Sequence, residues 1–244
     1  MNVNDYASEL TSEDFAISST LHDLQSLNRI LDRIKTQQLN SMIDMGCGYG
    51  GLTTYIARYL NVIDIHGVDA NTNRLSQAKL RGINVHELDL NKAELPLPDE
   101  SFDLVTSFGV LEHLIYFDSI LKESWRVLRK GGYLIIAMPN LANYVNRIAL
   151  LFGYQPRDVE ISSEVQPVIL PFYARRDHIF QQHVHSATLR ATKQLLRYYR
   201  FHLVRVGASA PFPPNTLIKL VDKAVSPFPS LSRRFIILGK KAHN

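Results

Sequence analysis

Short apolar runs alternate with helical patterns from residue 41 onward. We interpret the apolar runs as strands at 42–45, 62–68, 83–88, 102–108 and 133–138. Helical patterns lie between them near 50–60, 72–81 and 117–129, and the last ends on Lys130-Gly131-Gly132, a basic turn followed by a glycine stop. This alternation is typical of a parallel sheet with crossover helices. The pattern therefore predicts an α/β fold built on a doubly wound sheet.

The two flanks of this alternation extend the pattern. Within residues 1–40, apolar side chains recur at helical spacing, at Leu21, Leu24, Leu27, Ile30, Leu31 and Ile34. They predict a helical extension packed on the sheet or over its ligand edge. The end of the chain is typical of a strand, a proline-bounded helix and a last strand. Two strands joined in this way can pair antiparallel at one sheet edge.

A segment without a clear pattern, residues 139–185, separates the fifth strand from a helix at 186–200, which we expect to be capped by Ser186. Long loops in compact domains are usually functional. We interpret the segment as an insertion within a single domain that covers residues 1–244. Its aromatic residues are candidates for lining a ligand pocket, although packing on the sheet is the alternative: Tyr144, Phe152, Tyr154, Phe172 and Tyr173.

Composition narrows the class of protein. The chain has 244 residues, 45% apolar and 20% charged, which is ordinary for a globular protein with room for a substantial core. No stretch approaches the roughly 18 uncharged apolar residues that span a bilayer, and the first residues lack the pattern of a secretory signal. We therefore expect a cytoplasmic protein. Cys47 is the only cysteine, which excludes an intrachain disulfide and a multi-cysteine metal site.

The segment SMIDMGCGYGGLT, residues 41–53, carries the most specific chemistry. A strand ends near Asp44, and a glycine-rich loop then lets the backbone turn sharply and approach a ligand before the next helix begins. Such a loop is compatible with dinucleotides and with other adenosine ligands. Asp44 discriminates between them, because its carboxylate would repel a pyrophosphate and attract an ammonium or sulfonium group. We therefore expect the near end of the ligand to be cationic.

Two further acids follow predicted strands, at the edge where open parallel sheets bind ligands. Asp69, followed by Ala70, lies where a carboxylate can accept from both hydroxyls of an adenosine ribose. It can also cap the next helix, and the two roles are compatible. Asp89 and Leu90 follow the third strand and suit an adenine amino group and ring face. The alternative for Asp89 is a turn-forming role.

The mouth of the fourth strand offers another set of candidates. Ser107 and Phe108 close the strand, and Glu112 and His113 follow after a short turn. We expect residues at this position to face the reacting end of the ligand.

Together these motifs resemble those of class I S-adenosylmethionine-dependent methyltransferases, particularly the small-molecule group of ubiquinone, menaquinone and MetW-like methyltransferases. The resemblance covers about residues 40–140, and GVLEHL and WRVLRKGGYLIIAMPN are similar to the family's later motifs. It implies a Rossmann-like sheet of seven strands in the order 3-2-1-4-5-7-6, with strand 7 antiparallel. Its implied cofactor is S-adenosyl-L-methionine. The residues that we expect to bind this cofactor are Asp44, Gly46, Cys47, Gly48, Gly50, Asp69, Ala70, Asp89, Leu90, Ser107 and Phe108.

The sequence departs from the family's pattern ahead of the sixth strand. The family usually has a glycine there, and this chain has Tyr199-Arg200-Phe201.

Catalysis by a base is required only when the methyl acceptor arrives protonated, as a hydroxyl or ammonium would. Histidine titrates near neutral pH and can accept such a proton. His113 and His178 are our leading candidates, with His183 and His185 behind them. A metal site formed by the last three is disfavoured, because the run lacks an accompanying carboxylate.

Three hypotheses about function stay open at this point. The leading hypothesis is methyl transfer to a small molecule, a hydroxyl of a lipid-, quinone- or glycan-like intermediate. A nicotinamide-dependent oxidoreductase is one alternative, against which Asp44 argues. The other alternative is a non-catalytic or nucleic-acid-binding protein, because residues 171–244 hold 13 basic and 2 acidic residues. Nucleic-acid methyltransferases that act on amino groups commonly have a Pro-Pro motif after the fourth strand, and this chain has none there. The helix near 215–225 also has a pattern compatible with peripheral membrane contact.

Overall fold

The computed structural model describes residues 24–92, 94–165, 170, 183–209 and 216–242. Within these residues one sheet has the strand order β3-β2-β1-β4-β5-β7-β6, and β7 runs antiparallel to both of its neighbours. The predicted order and the direction of the last strand are therefore confirmed. The strands are β1 (Ser41–Met45), β2 (Asp64–Asp69), β3 (Asn84–Glu87), β4 (Phe102–Phe108), β5 (Leu128–Pro139), β6 (Phe201–Ser209) and β7 (Arg234–Lys241).

Helices cover both faces of the sheet. They are α1 (Leu24–Leu31), α2 (Gly51–Leu60), α3 (Thr72–Leu80), α4 (Asp118–Val127), α5 (Tyr144–Leu151), α6 (Leu189–Tyr198) and α7 (Thr216–Val225), with a 3₁₀ turn at Leu111–His113. Among the described residues, no helix has the length and apolar character needed to cross a membrane.

Alternate side chains of the central strands enter two separate cores. Met42 and Leu104 pack with α1 and α2, whereas Ile43 and Val105 pack with α4 and α6 on the opposite face. The alternation follows from the period of two along a strand. Strand β1 is buried on both faces, which explains why it reads as a continuous apolar run rather than an alternating one. The sheet therefore holds the ends of β1 and β4 rigidly.

The N-terminal helix packs on the sheet. This was one of the two placements predicted from the sequence, the other being over the ligand edge. Leu24, Leu27, Ile30 and Leu31 are buried, and the helix lies against β6 and β7. Leu21, the first residue of the predicted pattern, lies outside the described residues.

Several boundaries predicted from the sequence are wrong. The helix predicted at 117–129 ends at Val127, and the strand predicted at 133–138 begins at Leu128, which pairs with Phe102. The register then shifts before Leu104 pairs with Tyr133. Gly131 (φ 77°) therefore serves the irregular stretch of β5 and is not a helix stop. Strand β2 also begins two residues later than predicted, at Asp64.

The helix after the insertion begins later than predicted. Thr188, not Ser186, is its N-cap, and the Thr188 side chain accepts a hydrogen bond from the backbone N–H of Ala191. The Ser186 hydroxyl is buried without a hydrogen-bond partner. The helix ends in the left-handed conformation at Arg200 (φ 60°), the position that resembles a glycine of the family's pattern.

The insertion contains a helix that the sequence did not indicate, α5. Asn143 caps it by accepting from the N–H of Asn146, and the Tyr144 hydroxyl donates to Asp222 of α7 at 3.1 Å. Tyr144 and Tyr154 pack on a small apolar cluster, and Phe152 is exposed. Two further aromatic candidates, Phe172 and Tyr173, lie outside the described residues.

Candidate cofactor-binding site

The glycine loop between β1 and α2 depends on backbone conformations that favour glycine. Gly46 has φ 84°, and a Cβ atom there would lie 2.2 Å from Cγ2 of Val110. Gly50 has φ 78° and forms the N-cap of α2, so the first N–H groups of that helix have no side-chain cap. Gly48 has φ 54° and open space where a Cβ would project. The loop therefore has the glycine-dependent backbone conformation expected from the sequence, and its contact with a ligand stays a prediction.

Asp44 lies behind this loop as a buried carboxylate. Its Oδ2 accepts from the Thr53 hydroxyl at 2.5 Å, and its Oδ1 accepts from the Thr106 hydroxyl at 2.7 Å. Burial raises the pKa of Asp44 from 3.8 to about 6, the two hydroxyl hydrogen bonds oppose that shift, and the nearby charge of Asp69 adds to it. A negative charge here is therefore costly, and a cation placed beside it would offset the cost.

The two threonines were missed by the sequence analysis. Thr106 lies opposite Asp44 in the register of β1 and β4, so it becomes visible only once the strand pairing is known. Thr53 lies in the first turn of α2 and reaches back to the preceding strand. A hydroxyl shortly after a glycine loop is the one signal in the sequence that points to this contact.

Asp69 joins the second strand to the glycine loop. One carboxylate oxygen accepts from the backbone N–H of Gly48 at 3.0 Å, and the other accepts from the N–H of Asn71 at 2.9 Å. Asn71, rather than Asp69, caps α3 through its side chain. The carboxylate is partly exposed at the edge of the sheet, with Ala70 exposed beside it. The structure thus brings together the ribose candidate and the loop candidate.

Asp89 lies in a turn after β3, and its carboxylate accepts from the backbone N–H of Asn91 at 3.0 Å. That hydrogen bond is the main cause that lowers the pKa of Asp89. Asn91 in turn accepts from the N–H of Ile115 at 2.8 Å, which ties this turn to the segment after β4. Leu90 is buried. The turn-forming role of Asp89 is present in the structure, and adenine binding stays a prediction.

The remaining candidates lie in the core or at its margin. Ser107 is fully buried and its hydroxyl donates to the Met45 carbonyl at 3.0 Å, which links β4 to β1. Phe108 is half-buried against the core on the α1 side. Cys47 is buried, its pKa is raised by burial, and its Sγ would lie 2.7 Å from a Cβ at Gly67. Cys47 therefore packs as a small residue within the loop, and its contact with the cofactor stays a prediction.

Two of the predicted histidines meet near the end of β4. His113 is exposed in the 3₁₀ turn, and its ring centroid lies 5.0 Å from that of the buried His183. His185 is placed differently, with Nε2 2.5 Å from the Ile115 carbonyl oxygen. His178 lies outside the described residues, so its role stays a prediction.

The geometry described above agrees with the match to a known family. Residues 43–136, from β1 into β5, match the family described as "Methyltransferase domain". These residues form a methyltransferase domain. The predicted resemblance is confirmed, and the glycine loop, Asp69 and Asp89 all lie within the matched range.

Curated relatives match part of the chain. A probable S-adenosylmethionine-dependent methyltransferase of Mycobacterium tuberculosis is 35% identical over 102 residues, 41% of this chain and 35% of that protein. The mitochondrial ubiquinone biosynthesis O-methyltransferase of Candida albicans is 32% identical over 130 residues, 51% of this chain and 39% of that protein. The chain therefore spans little more than a third of the length of each of these relatives.

Solved structures extend the likeness in fold beyond the methyltransferase domain. An S-adenosylmethionine-dependent methyltransferase of Thermotoga maritima, described as a possible histamine N-methyltransferase, has a TM-score of 0.61 at 19% identity. It covers 98% of this chain, and this chain covers 95% of it. At this level of identity the comparison shows the shared fold.

Proposed function

We propose that the protein transfers a methyl group from S-adenosyl-L-methionine to a hydroxyl of a small lipid-, quinone- or glycan-like acceptor. The observation that carries this proposal is the pairing of Asp69 with the Gly48 N–H at 3.0 Å, beside a loop of three glycines with positive φ. A carboxylate and open backbone at one sheet edge suit an adenosine ribose and its attached chain.

The buried Asp44 supports a cationic cofactor. Its two oxygens are held by hydroxyl groups, not by a cationic side chain. The methionine part of S-adenosyl-L-methionine carries an ammonium and the sulfonium, so its binding would supply positive charge on the ligand side of the loop. A dinucleotide would place negative phosphates there. The charge of the site therefore favours the methyl donor over a nicotinamide cofactor.

Methyl transfer requires mainly that the protein align the methyl donor with the acceptor. S-adenosyl-L-methionine would supply a methyl group bonded to a sulfonium sulfur. Once the methyl group is transferred, the sulfur leaves as part of a neutral thioether and needs no proton. The loop and Asp69 would hold the donor in line with the acceptor and exclude water, and such positioning accounts for much of the acceleration in reactions of this kind. A hydroxyl acceptor must also lose its proton, and the exposed His113 at the end of β4 is our candidate to accept it.

Two relatives support an oxygen acceptor. They are named as an O-methyltransferase of ubiquinone biosynthesis in Candida albicans and a fatty-acid O-methyltransferase of Mycolicibacterium smegmatis, the latter 33% identical over 97 residues. Both names describe transfer to oxygen. Apolar or partly apolar acceptors also fit an insertion rich in aromatic residues.

The proposal is tested by incubating the protein with methyl-labelled S-adenosyl-L-methionine and a small-molecule extract, then identifying labelled products by mass spectrometry. We expect one class of labelled product with an O-methyl group. Asp69→Ala is the matched negative control, because loss of charge-assisted hydrogen bonds should weaken cofactor binding by about 1–3 kcal/mol. Unchanged cofactor affinity in this variant would show that the ribose carboxylate has been misplaced, and labelled N-methyl or S-methyl products alone would overturn the acceptor assignment.

A further inference from the structure

Three side chains with metal-binding atoms converge where β4 ends, beside the proposed cofactor loop. Glu112, His113 and His183 each offer one donor atom, and these atoms lie within 4.8 Å of one another. Glu112 and His113 belong to the 3₁₀ turn after β4, and His183 comes from the far end of the insertion. The backbone N–H of Val184 donates to the Glu112 carbonyl at 2.8 Å. The two segments are therefore hydrogen-bonded together at the cluster.

Glu112 carries an unsatisfied atom. The residue is 1% exposed, and its Oε2 is buried without a hydrogen-bond partner. The other oxygen, Oε1, lies 3.6 Å from the guanidinium of Arg234, which is too long for a close ion pair. A buried carboxylate oxygen without a hydrogen-bond partner is energetically unfavourable. A bound cation beside Oε2 would supply the missing partner.

His183 is held as a ligand would be. It is 7% exposed, and its Nδ1 lies 3.3 Å from the Asp158 carbonyl oxygen. A carbonyl oxygen can only accept, so Nδ1 carries the proton and Nε2 keeps its lone pair. Metal-binding histidines typically donate their second ring N–H to a carbonyl or carboxylate in this way.

His113 completes the group from the solvent side. Its ring is exposed and lies at 64° to the ring of His183, with the centroids 5.0 Å apart. Zinc donors at about 2.0–2.1 Å in a tetrahedral site are roughly 3.3 Å from each other, so donor atoms that lie up to 4.8 Å apart must approach by up to about 1.5 Å. An exposed side chain can make that adjustment, while the buried Glu112 and His183 stay in place. Solvent access at His113 also provides an entry path.

We propose that Glu112, His113 and His183 bind a divalent transition-metal ion of the zinc type. Two imidazoles and one carboxylate form a ligand set found in catalytic zinc sites, where three protein ligands leave a further position open. The nearby Arg234 guanidinium opposes a cation electrostatically, but it faces Oε1 and leaves Oε2 to the ion.

This site differs from the one that the sequence analysis disfavoured. That group consisted of His178, His183 and His185 and lacked a carboxylate. Glu112 supplies the carboxylate from a distant strand end, and His113 replaces the other two histidines. Only the tertiary structure brings these residues together.

The open coordination position gives the ion a chemical use, in a step that rests on the proposed function. An acceptor hydroxyl bound to the ion would have a lowered pKa and would lose its proton to solvent before attack, so His113 would then act as a ligand of the ion and not as the base. The new O–CH₃ bond then forms as the S–CH₃ bond breaks, and the sulfonium becomes a neutral thioether. The binding site itself does not depend on that step.

The site is tested by titrating zinc into the chelator-treated full-length protein by calorimetry, with cobalt absorption as a second readout. We expect one equivalent of zinc and the visible bands of tetrahedral cobalt. Glu112→Gln and His183→Ala should each weaken zinc binding about 100-fold or more, since even the loss of an outer-shell partner costs 10–100-fold. His202→Ala, an exposed histidine in β6, is the control and should bind zinc like the unmodified chain.

Circular dichroism and thermal melts of each variant establish that it is folded. Because Glu112→Gln keeps the shape of the side chain, it tests the ligand role even if His183→Ala is destabilised. Absence of stoichiometric zinc binding by the unmodified protein, or unchanged affinity in a folded Glu112→Gln variant, would overturn the site. Zinc binding without any binding of S-adenosyl-L-methionine would instead count against the proposed function and leave the metal site standing.

Discussion

Asp44 shows how a single buried residue makes the stability of the protein depend on pH. Its carboxylate is buried, and burial raises its pKa from 3.8 to about 6. The folded protein therefore holds a proton on Asp44 more tightly than the unfolded chain does. The stability that this proton contributes is complete below about pH 4 and is lost as pH rises towards 6, with a total of about 3 kcal/mol from the size of the shift.

Asp44→Asn should remove this pH dependence. The amide can still accept from one threonine hydroxyl and donate to the other, so the packing of Thr53 and Thr106 is kept. We expect the variant to gain up to about 3 kcal/mol relative to the unmodified protein between pH 4 and pH 7, measured as the free energy of unfolding in urea. It should also lose affinity for S-adenosyl-L-methionine. The exposed Glu164→Gln is the control and should leave the pH profile unchanged; parallel pH profiles for Asp44→Asn and the unmodified protein would contradict this account.

Sequence reasoning at the residue scale found the acids but not their partners. Asp44 and Asp69 lie near the carboxyl ends of β1 and β2, the edge where open parallel sheets bind ligands, so their positions could be predicted from pattern alone. The hydroxyls of Thr53 and Thr106 and the Glu112 contacts depend on strand register and on chain segments far apart in sequence. Local pattern carries no information about such contacts.

At the scale of elements, the turn between α6 and β6 contains one residue with a strained backbone conformation. Arg200 has φ 60°, a left-handed conformation that costs a residue with a side chain roughly 1–2 kcal/mol. The structure keeps the backbone conformation that glycine favours although the sequence has arginine. Asn61 ends α2 in the same conformation (φ 57°), but asparagine tolerates it well.

Arg200→Gly should therefore stabilise the protein by about 0.5–1 kcal/mol, because relief of strain is partly offset by the greater freedom of glycine in the unfolded chain. Chemical denaturation of both proteins measures the difference. Arg200→Ala separates backbone strain from loss of the arginine side chain and should show little change. An equal gain in the alanine and glycine variants would place the effect in the side chain instead.

Element boundaries were predicted well where pattern and hydrogen bonding agree. Strand β4 occupies the predicted residues, since its apolar run lies in the middle of the sheet. Helix α4 ends early because Leu128 pairs with Phe102, and this tertiary contact overrides the basic and glycine residues that follow. Helix α5 was missed because its short pattern lies inside an irregular insertion.

On the scale of the whole molecule, the alternation of strands and helices was enough to predict a doubly wound sheet, and the resemblance to a family supplied its order. The insertion between β5 and α6 could not be predicted in the same way. Its contacts, such as Tyr144 with Asp222 and His183 with Asp158, join distant parts of the chain. The insertion, which we propose covers the acceptor side of the site, is therefore the part that depends most on tertiary structure.

The central claim is that the glycine loop and its two acids bind a cationic methyl donor. Calorimetric titration of the full-length protein with S-adenosyl-L-methionine, and separately with NAD, tests it most directly. We predict stoichiometric binding of S-adenosyl-L-methionine, weakened in Asp69→Ala, and no measurable binding of NAD. Tight binding of NAD with no binding of S-adenosyl-L-methionine would contradict the account.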